Sequence, residues 1–585
     1  MTLLNNFFRK LKRIFISEQK DIVETSFFLM FIIGITKLSG FLYSAIVASK
    51  LGADRPLDLF ILANTLPEMI GNLILIGIIG AVFIPILIKV QTEKGNIKFL
   101  RLFNTLLNIS ILSFIFLSIF ISVSANWFFP YLLNHVLKPS EVYTSQEITE
   151  VVRMMRLLFI PQIVLGVSTF YSSGINIYNR FLIPQLAPLF YNFGRIIGAY
   201  ILIPFLGVEG LVWGTLIGSF LHLLIQTPLT YKLGIKHMPV LEIKDKYTIE
   251  SIKFGIPRIL GLGAEYFANS IDKFIAARFI GGSVSAFDFA IKLVSIPLSL
   301  FGLTFSTASF PTLARLFQTN KKTEFVKLFL KMLNQILFLS VPVTIILLIL
   351  RVSLVRLFFG IFGGEFDFEA TYLTAWIVSF FAIGLALESA RSLLYRSFYA
   401  ANDTMNPLLS AVFTVIFGIV TGILFTNYFS HFDTFEFSAL KWNINYFFET
   451  KNGKAAAGGL ALSSSIVYIL EFFLLIYLFN KKVAHIKLKI LLKTILKKII
   501  AGSIMALVMY SFFKLWGNTV FQEKTAILFI LVSATVFIGL FSYLWASYVL
   551  KIPEFSLFMK LGGRRIKQKI EQQISQIQAS LQNYS

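Results

Sequence analysis

Cysteine is absent from the chain, which removes disulfides, thiolate metal sites and a thiol nucleophile at once. Histidine is nearly absent. His135, His222, His237, His431 and His485 are scattered, with no metal-ligand spacing. Acidic residues are few, 30 against 53 Lys and Arg, and all charged residues together make up 14% of the 585 positions. A soluble domain carries about a quarter. No Gly-rich phosphate loop and no nucleophile–base arrangement is present, so an enzyme has little to be built from. No catalytic residue, metal or cofactor is expected.

What the chain has is apolar surface. It is 56% hydrophobic and contains 64 Phe. No aqueous fold of this size has an interior large enough for that surplus, so lipid must solvate much of it. The net charge of +23 would suggest nucleic acid in a soluble chain. Here the Lys and Arg sit in loops beside apolar segments, which points to retention on the cytoplasmic face beside anionic lipid headgroups, with no nucleic-acid partner.

A hydrocarbon core about 30 Å thick takes roughly 20 apolar residues per helical crossing. Fourteen such segments are expected, near 26–50, 60–88, 102–125, 154–178, 184–204, 208–230, 252–278, 286–314, 328–350, 371–398, 407–428, 456–480, 499–516 and 525–549. Nearly every second loop is basic: Lys89, Lys94, Lys98 and Arg101, then Lys232, Lys236, Lys244 and Lys246, then Arg315, Lys321, Lys322 and Lys327, then the lysines of 481–498. Loops 351–370 and 429–455 dissent mildly. The balance puts both termini in the cytoplasm and requires an even number of crossings.

The segments divide the chain. Residues 1–25 read as an uncleaved cytoplasmic amphipathic lead-in. Residues 26–230 form a first lobe of six helices, 231–251 a cytoplasmic linker, and 252–480 a second lobe of six. Helices 13 and 14 fill 481–550. The remainder, 551–585, reads as a basic amphipathic tail, with Ile566, Ile570, Ile574, Ile577 and Leu581 at helical spacing. Loop 429–455 is expected outside, as a small surface element. The fold class is therefore an all-α polytopic membrane protein: 14 transmembrane helices, twelve in two like-oriented lobes around a central cavity, plus two C-terminal helices.

The like orientation comes from an internal repeat. IVASKLGADRPLDLFILANTLP (46–67) resembles FIAARFIGGSVSAFDFAIKLVSIP (274–297). In each, a Gly turn precedes an Asp (Asp58, Asp288), and a Pro follows nine residues later (Pro67, Pro297). Six crossings separate the copies. Parallel repeats of this kind build two-lobed transporters with the site between the lobes.

A charge at mid-membrane costs about 2.5–3.5 kcal/mol on insertion scales, so it turns to a cavity or a partner. Lys37, Glu68, Arg195, Arg258, Glu265, Asp272, Lys273, Lys292, Glu388, Arg391, Arg396 and Glu471 fall within crossings. Asp272 and Lys273 are adjacent and so point to different faces. Arg258, Arg278 and Arg396 lie near helix ends, where snorkelling is an equal reading. Glu471 has no evident partner. Lys37 and Lys292 sit deeper and fall in the two repeated hairpins. Cations there suit an anionic headgroup such as a phosphate; a Lys–carboxylate pair that fixes packing is the competing reading for each.

TKLSGFLYSAIVASKLGADRPLDLFILANTLP (36–67), GIIGAVFIPIL (77–87), the long run 255–317 and RSFYAANDTMNP (396–407) together resemble the MurJ/MviN lipid II flippases. The likeness covers most of 26–550. It implies a fold of the multidrug/oligosaccharidyl-lipid/polysaccharide exporter superfamily, a cationic cavity lined by helices 1, 2, 7 and 8, and a groove for a polyprenyl tail on the last two helices. It also implies a multi-pass protein of the bacterial cytoplasmic membrane, acting as a monomer. The substrate it implies is lipid II, or a similar polyprenyl-pyrophosphate glycan, flipped by alternating access. Lys37 and Lys292 fall at basic positions of the family, and Asp58 and Asp272 at acidic ones. Tyr43, Gly71 and Asn72 stand where Arg is usual, so either the substrate differs or residues such as Arg258 and Arg195 supply the missing charge. Gly418 and Gly422 replace sodium ligands of some relatives. The substrate-binding set is thus Lys37, Lys292, Arg258, Asp58, Asp288, Asp272 and Arg195. A transporter of another polyprenyl-linked glycan and a non-transporting scaffold are the alternatives.

Overall fold

The computed structural model describes residues 22–76, 84–137, 139, 141–279, 281–430, 434–435, 448–449, 455–486, 488–517 and 525–555. The basic lead-in therefore lies outside the described residues up to position 21, and the tail helix expected over 560–585 lies wholly outside them.

The helices follow the apolar segments. They are α1 (Ile22–Leu51), α2 (Arg55–Gly71), α3 (Ile84–Pro130), α4 (Ser145–Ile177), α5 (Leu182–Ile197), α6 (Glu209–Leu224), α7 (Lys246–Ala276), α8 (Ser283–Pro297), α9 (Lys322–Phe359), α10 (Phe368–Ala400), α11 (Met405–Ser430), α12 (Ala457–Lys482), α13 (Leu488–Gly517) and α14 (Thr525–Val549). Among the described residues, thirteen helices are long and apolar enough to cross a bilayer. The expected fourteenth crossing, near 252–278, falls on α7. That helix is 31 residues long, carries Arg258, Glu265, Asp272 and Lys273, and is not among the thirteen. In the loop expected as a surface element, Thr434–Phe435 pairs antiparallel with Phe448–Glu449.

The repeat is visible in the backbone. Both α2 and α8 carry a proline near the C-terminal end, Pro67 and Pro297. A wider π-helical turn follows each, Asn72–Ile76 and Leu298–Leu303. Proline deletes one backbone hydrogen bond, and the widened turn absorbs the mismatch.

The first six helices pack chiefly on one another, and α8 to α12 do the same, while α7 lies against both α2 and α11. The last two helices pair with each other and rest on α9. The tightest crossing is α5 on α6. A Cβ at Gly194 would come within 2.3 Å of the backbone of Gly218, and one at Gly198 within 2.4 Å of Gly214. Glycines four apart on both helices let the backbones touch, which is how helices gain van der Waals contact where lipid offers no hydrophobic drive.

The segment 233–245 between the bundles is stitched along α3. Asn104 accepts from the Met238 N–H at 2.9 Å and donates to the Lys236 carbonyl at 3.1 Å. Asn108 donates to the carbonyls of Met238 and Val240. Lys98 pairs with Glu242 at 2.8 Å and Asp245 at 2.6 Å. The hydrogen bond from Lys98 holds the Glu242 carboxyl below its ordinary value. Burial opposes the same effect at Asp245, yet Lys98 lowers that carboxyl as well.

Candidate functional site

A cavity of about 460 Å³ lies between the two bundles. Its walls come from α1 (Tyr43, Val47), α2 with its π turn (Leu57 to Asn72), α4 (Gln162, Leu165), α5 (Tyr191, Arg195), α7 (Tyr266 to Lys273) and α8 (Asp288 to Lys292). Three cations and two carboxylates line it: Arg195, Lys273 and Lys292 against Glu68 and Asp288.

The second-bundle wall holds a triad. Asp288 accepts from Lys273 on α7 at 3.1 Å and from Lys292, one turn along α8, at 2.8 Å. One carboxylate between two ammonium groups leaves the trio with an excess positive charge. Lys292 keeps 36% of its side chain exposed against 16% for Lys273, so Lys292 is the member a ligand meets first. The neighbouring Asp272 turns away to Ser464 on α12. The two adjacent charges do face opposite ways.

The first-bundle wall holds Arg195. Its guanidinium lies 3.7 Å from the centre of the Tyr43 ring and 5.3 Å from that of Tyr191. A cation over a ring face is held by the ring quadrupole without being neutralised. Among the described residues its Nε has no hydrogen-bond partner, and no carboxylate forms an ion pair with it. Tyr43 stands where a basic residue was expected, and Arg195 brings a cation to the face of that same residue from a different helix. Gly194 and Gly198 flank Arg195, so the close α5–α6 crossing fixes the side of α5 that faces the cavity.

The remaining expected site residues are placed as follows. Lys37 is exposed on α1 and is absent from the cavity wall. It lies six residues before Tyr43, which on a helix is about 9 Å along the axis and about 240° around it. Arg258 lies on α7, but its side chain is outside the described residues. Asp58 is buried away from the cavity wall. Its carboxylate accepts the backbone N–H groups of Gly282 at 2.8 Å and Ser285 at 2.7 Å. It thus caps the N-terminus of α8 from the other bundle, satisfying orphan donors and meeting the positive end of the helix dipole.

That cap belongs to a seal at one end of the bundles. Tyr143 donates to the Ala277 carbonyl at 3.0 Å. Arg55 pairs with Glu147 at 2.8 Å and stacks 3.8 Å from the Tyr143 ring centre. The Glu365 N–H donates to Ser49 at 3.0 Å. These loops lie at the end away from the lysine-rich ones.

Glu471, without an evident partner in the sequence, has several in the fold. Arg391 donates to it at 2.7 Å and Ser410 at 2.6 Å, and the Tyr395 hydroxyl donates as well. This buried network ties α10, α11 and α12 together and takes no part in the cavity. The sequence reading passed over Lys273 and Glu68 as site residues. Both were visible as charges within crossings, but only the α2–α7–α8 packing shows that they share a wall.

Residues 47–440 match the family described as Lipid II flippase MurJ. The probable lipid II flippase MurJ of Thermotoga maritima is 25% identical over 536 residues, covering 90% of this chain and 96% of that protein. That of Buchnera aphidicola subsp. Acyrthosiphon pisum is 25% identical over 376 residues, 64% of this chain and 72% of the relative. Among solved structures, a lipid II flippase MurJ in an inward closed conformation superposes with a TM-score of 0.69 at 19% identity, over 89% of this chain and 98% of that one. An inward-facing multidrug resistance MATE family transporter of the MOP superfamily gives 0.56 at 13% identity, over 78% and 100%. At these identities the superpositions speak for the fold alone.

Proposed function

The chain belongs to the lipid II flippase MurJ family, and we propose that it carries lipid II from the cytoplasmic to the outer leaflet by alternating access, using the interlobe cavity for the diphosphate head. The bundles rock about the cavity while the polyprenyl tail stays in lipid. No covalent bond changes, so the protein acts as a transporter and not as an enzyme.

The observation that carries this reading is the cavity's excess of positive charge, three cations against two carboxylates, with a cation on each of two facing walls. Lys292, with Lys273 behind it, offers charge-assisted hydrogen bonds from the second bundle, and Arg195 offers a guanidinium from the first. Asp288 holds the two lysines apart from each other's charge until a phosphate arrives. A head bound by both walls stabilises the state in which the bundles are drawn together. Asp58 and the Tyr143–Ala277 contact act as the seal on the outer side, and they must part for release. A scaffold has no use for a cavity whose lysine is a third exposed.

The same reading puts both termini and the lysine-rich loops in the cytoplasm, beside anionic lipids, in the inner membrane of a bacterium. The protein acts as a monomer, since the cavity is complete within one chain. A leaflet-specific accessibility assay for lipid II in a depletion strain tests the assignment. Lys292→Ala combined with Arg195→Ala is expected to cut outward display by at least about tenfold, the loss of a charge-assisted bond or more. Normal display in that strain would refute it.

A further inference from the structure

A carboxylate in a phosphate cavity works against the phosphate, and Glu68 is such a carboxylate. It is exposed within the cavity wall, and its one hydrogen bond among the described residues comes from Asn64 at 3.1 Å. Among the described residues no Lys or Arg comes within ion-pair distance of it, though Arg195 and Lys273 lie near enough to feel its charge. Lys273 is committed to Asp288 and Arg195 to Tyr43.

Glu68 is not alone. Asn64, Glu68 and Asn72 follow one another at four-residue spacing along α2 and into its π turn, and all three line the cavity. Asn64 spends its amide N–H on Glu68, and its Oδ1 is buried without a partner among the described residues. Gln162 of α4 comes in beside them through the gap left by Gly71, where a Cβ would meet Gln162 Oε1 at 2.7 Å. The wall therefore presents a carboxylate and amide oxygens in one place. An ammonium group has three donors and no acceptor, and matches such a set. The widened turn that begins at Asn72 lies at the same point, as π turns often do at functional positions.

We propose that Glu68, with Asn64 and Gln162, binds a protonated amine on the transported headgroup. The cavity then selects a zwitterion, phosphate on the Lys273–Lys292 wall and ammonium on the α2 wall. This rests on the flippase reading and adds to it a second recognised group.

The test uses the purified full-length protein and two probes: a short-prenyl diphosphate-linked muramyl pentapeptide with a free side-chain amine, and the same compound acetylated on that amine. Wild type is expected to bind the free amine about tenfold more tightly, the size of a charge-assisted hydrogen bond. Glu68→Gln is expected to lose that preference while binding the acetylated probe at least as well as wild type does, which also shows that the variant is folded. Equal binding of both probes by wild type, or a preference kept by Glu68→Gln, overturns the proposal. A preference that follows sodium concentration and not acetylation assigns Glu68 to a metal ion and overturns it too. If Lys292→Ala loses both probes while wild type fails to discriminate them, the phosphate reading stands and this one falls. If wild type binds neither probe, both fall.

Discussion

Asp58 Oδ1 accepts the backbone N–H of Ser285 at 2.7 Å, so a carboxylate of α2 terminates a helix of the opposite bundle. The bond belongs to a conformation in which the two bundles meet at that end. Asp58→Asn keeps the shape, loses the charge and leaves one oxygen for two donors. A lost charged cap costs about 1–2 kcal/mol. The chain has no cysteine, so a single reporter such as Leu57→Cys is clean. An impermeant thiol reagent applied from outside is expected to label it several-fold faster in the Asp58→Asn background. Unchanged labelling would remove Asp58 from the seal.

The α5–α6 crossing tolerates no side chain. Gly198→Leu would drive a branched group into the backbone of Gly214, which lies 2.4 Å from a Cβ at that position. Forced overpacking costs about 1–3 kcal/mol, and more where backbone must move. The variant is expected to melt several degrees lower in detergent and to lose transport, because Arg195 turns with α5. A variant with the wild-type melting temperature would show that the helices can part without cost.

Glu471 is fully buried and Arg391 nearly so. Glu471→Gln is expected to destabilise by about 3–5 kcal/mol, the penalty for leaving a buried charge without its counterion. Glu471→Leu combined with Arg391→Met should recover most of that loss, since a well-packed apolar pair avoids desolvation altogether. Thermal unfolding of the three variants reads this directly. Additive losses in the double variant would mean that the two residues act separately.

Glu242 gives a pH dependence with a definite sign. Its folded carboxyl titrates below its unfolded value because Lys98 donates to it. Its stabilising share is therefore whole above the ordinary carboxylate range and is lost as the pH falls through the folded value. Spin labels at Ile97→Cys and Ile243→Cys, both exposed, are expected to give a narrow distance distribution at pH 7 and a broad one near pH 3. Glu242→Gln should carry part of that broadening to pH 7. A distribution that stays narrow at pH 3 would mean that the amide bonds of Asn104 and Asn108 hold the linker unaided.

The helices were legible because apolar length is a one-dimensional property. At α7 the charges within an otherwise apolar run include Lys273, which lines the cavity. Lys292, Asp288 and Arg195 could be named from sequence as charges that a membrane would not tolerate idly. Lys37 satisfied the same criterion and is absent from the wall, because the rotation of α1 about its axis is set by Asn192 bonding Thr36 and Ser39 and by Phe41 packing on Phe358. Such contacts join residues more than a hundred positions apart. Arg195 on Tyr43 is of the same kind. The charge could be read from the sequence, but the ring beneath it could not. Asp58 was expected as a ligand and is a cap, a role that depends on where the start of α8 lies in space.

The fastening of 233–245 along α3 has a mechanical consequence. Two asparagines, a threonine and a lysine make that strap a rider on the first bundle. Any swing of one half against the other is then concentrated at the joint where α7 begins, just past Asp245, as a door turns at its pin and not along its frame. Slack inserted at that joint should loosen the coupling between the two mouths, whereas slack inserted within the strap should be absorbed by the wall that holds it.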